Sequence, residues 1–502
     1  MQLVESKPRT TSAVSVPGPG QFGAIVAAVV AASWLPVLAG AMTRTAVGWI
    51  AAVGLAVAVE WLTRRFTAGL LVSGLVLASA FVASGLVTEP THYMPVVVTG
   101  GAVGLRTMLE AWRSRRMVSV TPRVVLVAVG LYLAWAALAT VTSIDHIVSA
   151  VYIVGMVAVC GLAIWKIPAA LTEQSDRDNL LLSVGVLGAI VALTVYLVEA
   201  INPITVFGRA LGDYQLADLT IAGHTTGLHF GRSAGIYLAP LEAGITMALA
   251  VGMLLGWSVT RVGWPRVLAR LGIVVMVPAI VLTLDRTAWL AAIVSAGAFV
   301  VLARRARLHA ATPAAVCAVF ASVFLFVLVG TVGANAIGNF CAPNCTPSTG
   351  IDETPLRGGT GLTGREYLWA ASIHAIEKRP ILGYGPGNNV PALYPFLVGG
   401  EHHIETLTSH STWFRTAVEM GIPGLVFLVF VLLAAAWIFT RDWLRDDGVG
   451  DPVRLALAAA LCGLVPAMTF ESFLLGGVTF SSLFLALALG VVAVRPMSDR
   501  AY

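Results

Sequence analysis

"HSTWFRTAVEMGIPGLVFLVFVLLAAAWIFTRDWLR", residues 410–445, contains the pattern that decides the fold. After the Gly-Ile-Pro-Gly turn at 421–424 the residues are almost all apolar, and charge returns only at Arg441. A helix needs about twenty such residues to cross the hydrocarbon core of a bilayer. The stretch therefore predicts a membrane span over 421–440, with His410 in the polar segment before it.

Apolar windows of similar length recur along almost the whole chain, which has 502 residues. Hydrophobic residues make up 58% of the sequence and charged residues 11%, whereas a soluble domain carries about 25% charged residues. This composition predicts an all-α, polytopic transmembrane helical bundle of about 12–14 spans. The candidate windows lie near 21–41, 46–62, 67–88, 93–108, 122–142, 147–167, 179–199, 237–257, 268–284, 287–303, 313–333, 421–440, 452–473 and 477–495.

Short arginine clusters between the windows predict the topology. Cytoplasmic loops of membrane proteins carry an excess of Lys and Arg, and the clusters here all fall on one side if both termini are cytoplasmic. The net charge of +5 is distributed over these clusters, so it does not indicate a nucleic-acid partner. The clusters include Arg64–Arg65, Arg113 with Arg115 and Arg116, Arg304–Arg305, and Arg441 with Arg445.

The windows divide the chain into four segments. Residues 1–20 are polar and rich in Pro, Ser and Thr, which predicts a disordered cytoplasmic tail. Residues 21–333 are predicted to form a transmembrane bundle of about eleven spans, and 334–420 a large extracytoplasmic loop. Residues 421–502 are predicted to form the last three spans and a short cytoplasmic tail.

The large loop is expected to contain short amphipathic helices. In "TGREYLWAASIHAIEKRP", residues 363–380, a threonine and a glutamate have capping-box spacing, and Pro380 ends the predicted helix. Cys341 and Cys345 lie in the same loop and can form a small disulfide if it faces an oxidising compartment. A zinc site at these cysteines would need two further ligands, and the sequence shows none at suitable spacing.

The outward-facing segments carry arginines without matching carboxylates. Arg232, Arg286 and Arg365 lie near the ends of predicted spans or of the capped helix. Guanidinium groups bind phosphate in bidentate fashion, and an anion at the first turn of a helix complements the helix dipole. The set predicts a phosphate-binding site, with Asp285 and Glu242 as candidate supporting carboxylates. The alternative is that these arginines extend to lipid headgroups.

His410 is a candidate general base at the membrane edge. If a helix begins at His410, Arg415 and Glu419 point away from the imidazole. Its partner must then come from elsewhere, and Glu405 and Asp285 are the candidates. The alternative is a histidine that is merely hydrogen-bonded at an interface.

Two other patterns in the large loop carry less weight. His402 and His403 with Glu405 offer metal-ligating side chains, but adjacent histidines in a loop are a weak signal. The stretch "GYGPGNN", residues 383–389, lacks the flanking strand and helix of a phosphate-binding glycine loop, and we interpret it as turns that shape a cavity wall. The sequence predicts neither a metal nor a cofactor.

The histidine and the turn together resemble a known motif. The stretch from His410 to Gly424 matches the H-[NSQ]-x9-G-x-x-G pattern of the O-antigen ligase family. It consists of His410-Ser411, nine further residues and Gly421-Ile422-Pro423-Gly424. The Gly-Arg element ending at Arg232, the span-end Arg286 and the segment "RPILGYGPGNN" also resemble this family, over about residues 225–440. Asp285-Arg286 departs from the Ser-Arg that is frequent in the family, and about fourteen windows exceed its usual dozen spans.

The resemblance implies a GT-C-like membrane glycosyltransferase of the O-antigen ligase type, metal-independent and inverting. Its donor would be a polyprenyl diphosphate-linked glycan and its acceptor an envelope glycan or glycolipid. By the same resemblance, Arg232 and Arg286 bind the diphosphate, Arg365 is a further candidate contact, and His410 deprotonates the acceptor hydroxyl. The protein would lie in the bacterial inner membrane with an extracytoplasmic active site.

Three other functions remain open at the level of sequence. A polymerase of the same superfamily would join repeat units on the same lipid carrier. A polysaccharide or lipid transporter is a second alternative, although the scarcity of charge at mid-span argues against ion coupling. A peptidoglycan polymerase of the shape, elongation, division and sporulation group is a third.

Overall fold

The computed structural model describes most of the membrane-spanning part of the chain. The described residues are 54–61, 68–79, 94–114, 121–171, 174–201, 205–206, 209–210, 214–221, 224–235, 237, 240–283, 285–305, 365–396, 408–445, 451–477 and 479–494. Several parts of the chain for which the sequence made predictions lie outside these ranges. They are the tail at 1–20, the capping residue Thr363, the cysteines 341 and 345, and the loop residues His402, His403 and Glu405.

The described part of the chain is mostly helical. The helices are α1 (Ala68–Ser79), α2 (Met94–Ser114), α3 (Arg123–Ala139), α4 (His146–Cys160), α5 (Ile167–Ala170), α6 (Gln174–Ile201), α7 (Pro240–Thr260), α8 (Trp264–Leu282), α9 (Arg286–Arg305), α10 (Arg365–Lys378), α11 (Asn389–Leu393), α12 (Thr412–Arg445), α13 (Pro452–Phe470) and α14 (Phe480–Val492). Short 3-10 turns cover Thr140–Thr142 and Tyr394–Phe396, and a π-helical stretch covers Gly161–Lys166.

Eight helices in the described part of the chain are long and apolar enough to cross a membrane. Each coincides with a window predicted from hydropathy, which confirms an all-α polytopic bundle. The helix predicted from "TGREYLWAASIHAIEKRP" is also present, as α10. The eight cover Arg123–Thr142, His146–Ala170, Ser175–Val198, Pro240–Thr260, Trp264–Leu282, Arg286–Arg304, Thr412–Arg445 and Pro452–Phe470.

The connection between α6 and α7 contains short antiparallel strands that the hydropathy pattern did not predict. Strand β1 (Thr205–Val206) pairs with β2 (Arg209–Ala210), and β3 (Tyr214–Ile221) pairs with β4 (His224–Ser233). The register of the second pair sets Gln215 opposite Arg232. These strands lie outside the apolar windows, so they add to the bundle without altering its class.

Helix α7 is the most enclosed of the eight described spans, because small residues let its neighbours approach closely. An added Cβ at Gly188 of α6 would lie 2.2 Å from the Cβ of Ala250, and one at Gly256 would lie 2.6 Å from the Cβ of Ala456 on α13. Between membrane helices the packing of small residues replaces the hydrophobic driving force that operates in water. The same principle applies at Gly463, where an added Cβ would lie 2.1 Å from the hydroxyl oxygen of Ser295 on α9.

Buried ion pairs join the spans at one end of the bundle, which we call the basic end. Asp442 accepts hydrogen bonds from Arg454 at 3.1 Å and Arg441 at 3.0 Å, and Arg177 pairs with Asp451. Charges at the edge of hydrocarbon are costly unless paired, so these contacts fix the ends of the helices. His410 lies just before α12 at the other end, which we call the site end.

Candidate functional site

His410 occupies the site end just before the first turn of α12. Its φ angle is 42°, and it is the only non-glycine residue in the described part of the chain with a positive φ. A left-handed conformation costs a non-glycine residue about 1–3 kcal/mol, and such strain clusters at functional sites. The side chain is 39% exposed, so the imidazole is accessible at the end of the bundle.

Among the described residues, the carboxylate in contact with the imidazole belongs to Glu471, directly after α13. The distance from His410 Nδ1 to Glu471 Oε2 is 3.6 Å, and the Glu471 side chain is only 4% exposed. This distance is an ion-pair contact and is longer than a hydrogen bond. A carboxylate on the Nδ1 side of an imidazole provides a counter-charge for the imidazolium that forms when Nε2 accepts a proton.

The backbone of Glu471 is fixed to the start of α12. The Thr412 amide and hydroxyl both donate to the carbonyl oxygen of Glu471, at 2.9 Å and 2.7 Å. The Phe473 amide in turn donates to the Thr412 hydroxyl at 2.8 Å. These bonds hold the imidazole and the carboxylate at a set separation, although they come from different helices.

Sequence reasoning did not pair Glu471 with His410. Of the two candidates it named, Glu405 lies outside the described residues, and Asp285 instead accepts from the Thr287 amide at 3.1 Å and so caps α9. A signal for Glu471 was nevertheless present, since a carboxylate directly after an apolar span is costly unless it is paired or functional.

The prediction that Glu419 does not orient His410 is confirmed. Arg415 Nε donates to Glu419 Oε1 at 2.9 Å within α12, and the Glu419 side chain is fully buried. Tyr152 of α4 lies close enough to Arg415 to interact with its guanidinium. This pair therefore joins two spans beneath the site.

The helical hydrogen bonding of α12 is interrupted at Gly421. Three donors outside the helix bond instead to the backbone carbonyls of the residues just before the break. The Tyr384 amide donates to the Val418 carbonyl at 3.0 Å, and the Gly385 amide to that of Glu419 at 2.8 Å. Trp135 Nε1 donates to the Met420 carbonyl at 2.8 Å. Irregular backbone at membrane depth is tolerated only when its polar groups are bonded within the protein. The turns of "GYGPGNN" supply two of these bonds, so the prediction that this stretch forms turns is confirmed.

Gly421 also permits the closest backbone contact at the site end. Its φ is 70°, and an added Cβ would lie 2.0 Å from the Ile381 carbonyl oxygen. We expect Gly421→Ala to be recovered from membranes at a small fraction of the wild-type amount, because both the clash and the positive φ oppose folding. Gly130→Ala is the control, since an added Cβ there meets no atom within 4 Å. Equal amounts of the two variants in membranes would contradict this role of the glycine.

The three predicted phosphate-binding arginines lie at the starts or ends of elements. Arg232 is near the end of β4, and Arg365 is the first residue of α10. Arg286 is the first residue of α9 and is half-buried. Ser233, next to Arg232, donates to the Val195 carbonyl of α6 at 3.3 Å, which ties the end of β4 to the bundle.

Glu242, the other predicted supporting carboxylate, lies near the His410–Glu471 pair. Glu242 Oε2 accepts from the Ser481 hydroxyl at 2.9 Å, and the carboxylate interacts electrostatically with Glu471 and Asp285. The starts of α7, α9 and α14 therefore meet at the site end. No group of three or more His, Cys, Asp or Glu among the described residues is arranged to hold a metal ion.

A comparison with protein families identifies the segment that contains most of these residues. Residues 271–429 match the family model described as O-antigen ligase. The match includes Arg286, Arg365, His410 and the turn at 421–424, whereas Arg232 and Glu471 lie outside it. No curated protein matches the chain.

Proposed function

Because residues 271–429 place the chain in the O-antigen ligase family, we propose that it transfers a glycan from a polyprenyl diphosphate donor to a hydroxyl group of a cell-envelope acceptor. At the level of the family, the protein is a membrane glycosyltransferase of the O-antigen ligase or polymerase type. The observation that carries the more specific proposal is the contact between His410 and Glu471 at the end of a membrane span.

In the proposed reaction His410 is the general base. Its exposed imidazole accepts the proton of the acceptor hydroxyl as the oxygen attacks the anomeric carbon of the donor. The bond from that carbon to the diphosphate oxygen breaks, and the diphosphate leaves with the electron pair. A single displacement of this kind inverts the anomeric centre. The buried Glu471 carboxylate stabilises the imidazolium formed during the step.

The leaving diphosphate gains negative charge, so a nearby cation accelerates its departure. Arg286 is suited to this role, because its side chain is half-buried at the start of α9, at the same end of the bundle as His410. We assign Arg232 to the same role from its place at the end of β4, and Arg365 from its place at the start of α10.

The charge distribution supports an extracytoplasmic site and cytoplasmic termini. Four arginines lie at or near the basic end of the bundle, whereas His410 lies at the site end. The four are Arg261, Arg304, Arg441 and Arg445. An excess of arginine marks the cytoplasmic side of membrane proteins. A lipid-linked donor and a membrane-bound acceptor would both reach His410 at the opposite face.

The proposal is tested by deleting the gene from its host and following lipid-linked glycan by gel. We expect long glycans to accumulate on polyprenyl diphosphate, and expression of the wild-type chain to remove them. Arg286→Ala should fail to complement, whereas Arg270→Ala, at an exposed position on α8, should complement fully. Single repeat units in place of long chains would indicate a polymerase. Unaltered lipid-linked glycan, or glycan moved without a new covalent bond, would overturn the proposal.

A further inference from the structure

The two consecutive asparagines that end "GYGPGNN" are both buried and hold different parts of the site end. Asn388 and Asn389 are 1% and 2% exposed. A buried amide is costly unless its donors and acceptor are bonded, so each side chain must have a defined partner. The two asparagines have different partners, and only those of Asn389 lie next to His410.

Asn388 ties the turns to the connection between α3 and α4. Its Nδ2 donates to the hydroxyl oxygens of Ser143 and Ser149, both at 2.9 Å. The Ser149 hydroxyl also donates to the Pro386 carbonyl at 2.8 Å. None of these bonds reaches His410 or the residues next to it, so Asn388 has a structural role.

Asn389 instead bonds the residue that directly precedes His410. Its Nδ2 donates to the Ser409 hydroxyl oxygen at 2.8 Å, and the Ser409 amide donates to Asn389 Oδ1 at 2.9 Å. The Ser409 hydroxyl is also within 3.1 Å of that same Oδ1 atom. Ser409 is fully buried. These bonds fix both the backbone and the side chain of Ser409.

His410 therefore lies between two fixed residues. Asn389 holds Ser409 on one side, and the Glu471 carbonyl holds Thr412 on the other. His410 has the left-handed conformation, with a φ of 42°, which a free chain would avoid for any residue with a Cβ. The bonds to Ser409 and Thr412 hold the backbone on both sides of this residue, so they help to keep it in a conformation with a steric cost.

We propose that Asn389 is a positioning residue that, through Ser409, holds His410 in its left-handed conformation and so keeps the imidazole against Glu471. This inference rests on the proposed function for its effect on catalysis. Its effect on the conformation of residue 410 is independent of that function. The two effects can be measured separately.

The first measurement is the rate of glycan transfer. Membranes of the deletion strain, which contain accumulated polyprenyl diphosphate-linked glycan, are the substrate, and rates are normalised to folded full-length protein. We expect Asn389→Ala to lower kcat roughly 10–100-fold with little change in KM, because small displacements of a reacting group have effects of this size. Asn388→Ala is the matched control and should keep the wild-type kcat.

The second measurement is thermal stability, which does not depend on activity. With Asn389 present, His410→Gly should melt at a higher temperature than His410→Ala, because only glycine adopts a positive φ without steric cost. When His410→Gly and His410→Ala are each combined with Asn389→Ala, residue 410 can relax to a negative φ. The alanine variant should then melt at the higher temperature, because alanine has less conformational freedom than glycine in the unfolded chain. If Asn389→Ala does not insert into the membrane, Asn389→Leu, which has a similar shape but cannot bond Ser409, replaces it in both measurements.

The outcomes distinguish the two proposals. If His410→Ala transfers glycan at the wild-type rate, the proposed function fails, and the melting order alone decides the role of Asn389. If His410→Ala is inactive but Asn389→Ala behaves like Asn388→Ala, the positioning role fails and the proposed function stands. The positioning role would also be overturned if His410→Gly melted above His410→Ala by the same amount with and without Asn389→Ala.

Discussion

Replacing His410 by alanine is expected to lower the rate of glycan transfer by about 10²–10⁴-fold, the usual contribution of a general base. The imidazole is 39% exposed and lies at the end of the bundle, so its removal leaves no buried cavity. We therefore expect normal insertion into the membrane and an unchanged melting temperature. Accumulation of polyprenyl diphosphate-linked glycan in a complemented deletion strain measures the loss.

Helix α10 offers a matched control for this substitution. His374 also lies within reach of a glutamate, with its Nδ1 atom 3.2 Å from Glu377 Oε2, but both side chains are more than 60% exposed. His374→Ala should complement as well as the wild type. If His410→Ala and His374→Ala both complement fully, a general base at His410 is excluded.

Glu471→Gln is expected to lower the same rate by about 10²–10⁴-fold, the upper value being the loss on amidation of the carboxylate in a catalytic triad. The substitution preserves side-chain shape and the backbone carbonyl that accepts from Thr412. It removes the negative charge 3.6 Å from His410 Nδ1. The imidazolium formed during transfer then loses its counter-charge, whereas the fold retains its contacts.

Two comparisons make this prediction specific. Glu377→Gln changes the exposed pair on α10 and should leave the rate unaltered. The double variant His410→Ala/Glu471→Gln should be no slower than His410→Ala alone, because residues that act as one unit are not additive. A further loss in the double variant would show that Glu471 acts independently of His410.

Local patterns in the sequence predicted the spans and the location of the histidine. Hydropathy identifies a span because the bilayer requires about twenty apolar residues whatever lies beside them. The helix at α10 was predictable because Pro380 and the apolar spacing are local signals. Gly421 was likewise identified from the sequence motif, although its positive φ was not predicted.

The tertiary structure alone decided which groups meet His410. Thr412 and Glu471 are 59 residues apart in sequence, and they meet only because α12 begins where α13 ends, at the same end of the bundle. The role of "GYGPGNN" also depended on packing, since its amides bond carbonyls that a break at Gly421 releases. The sequence by itself determined a polytopic helical bundle with a histidine at the edge of a span, because hydropathy and turn signals act over a few residues. The partners of that histidine are set by contacts between distant helices, which no local periodicity encodes.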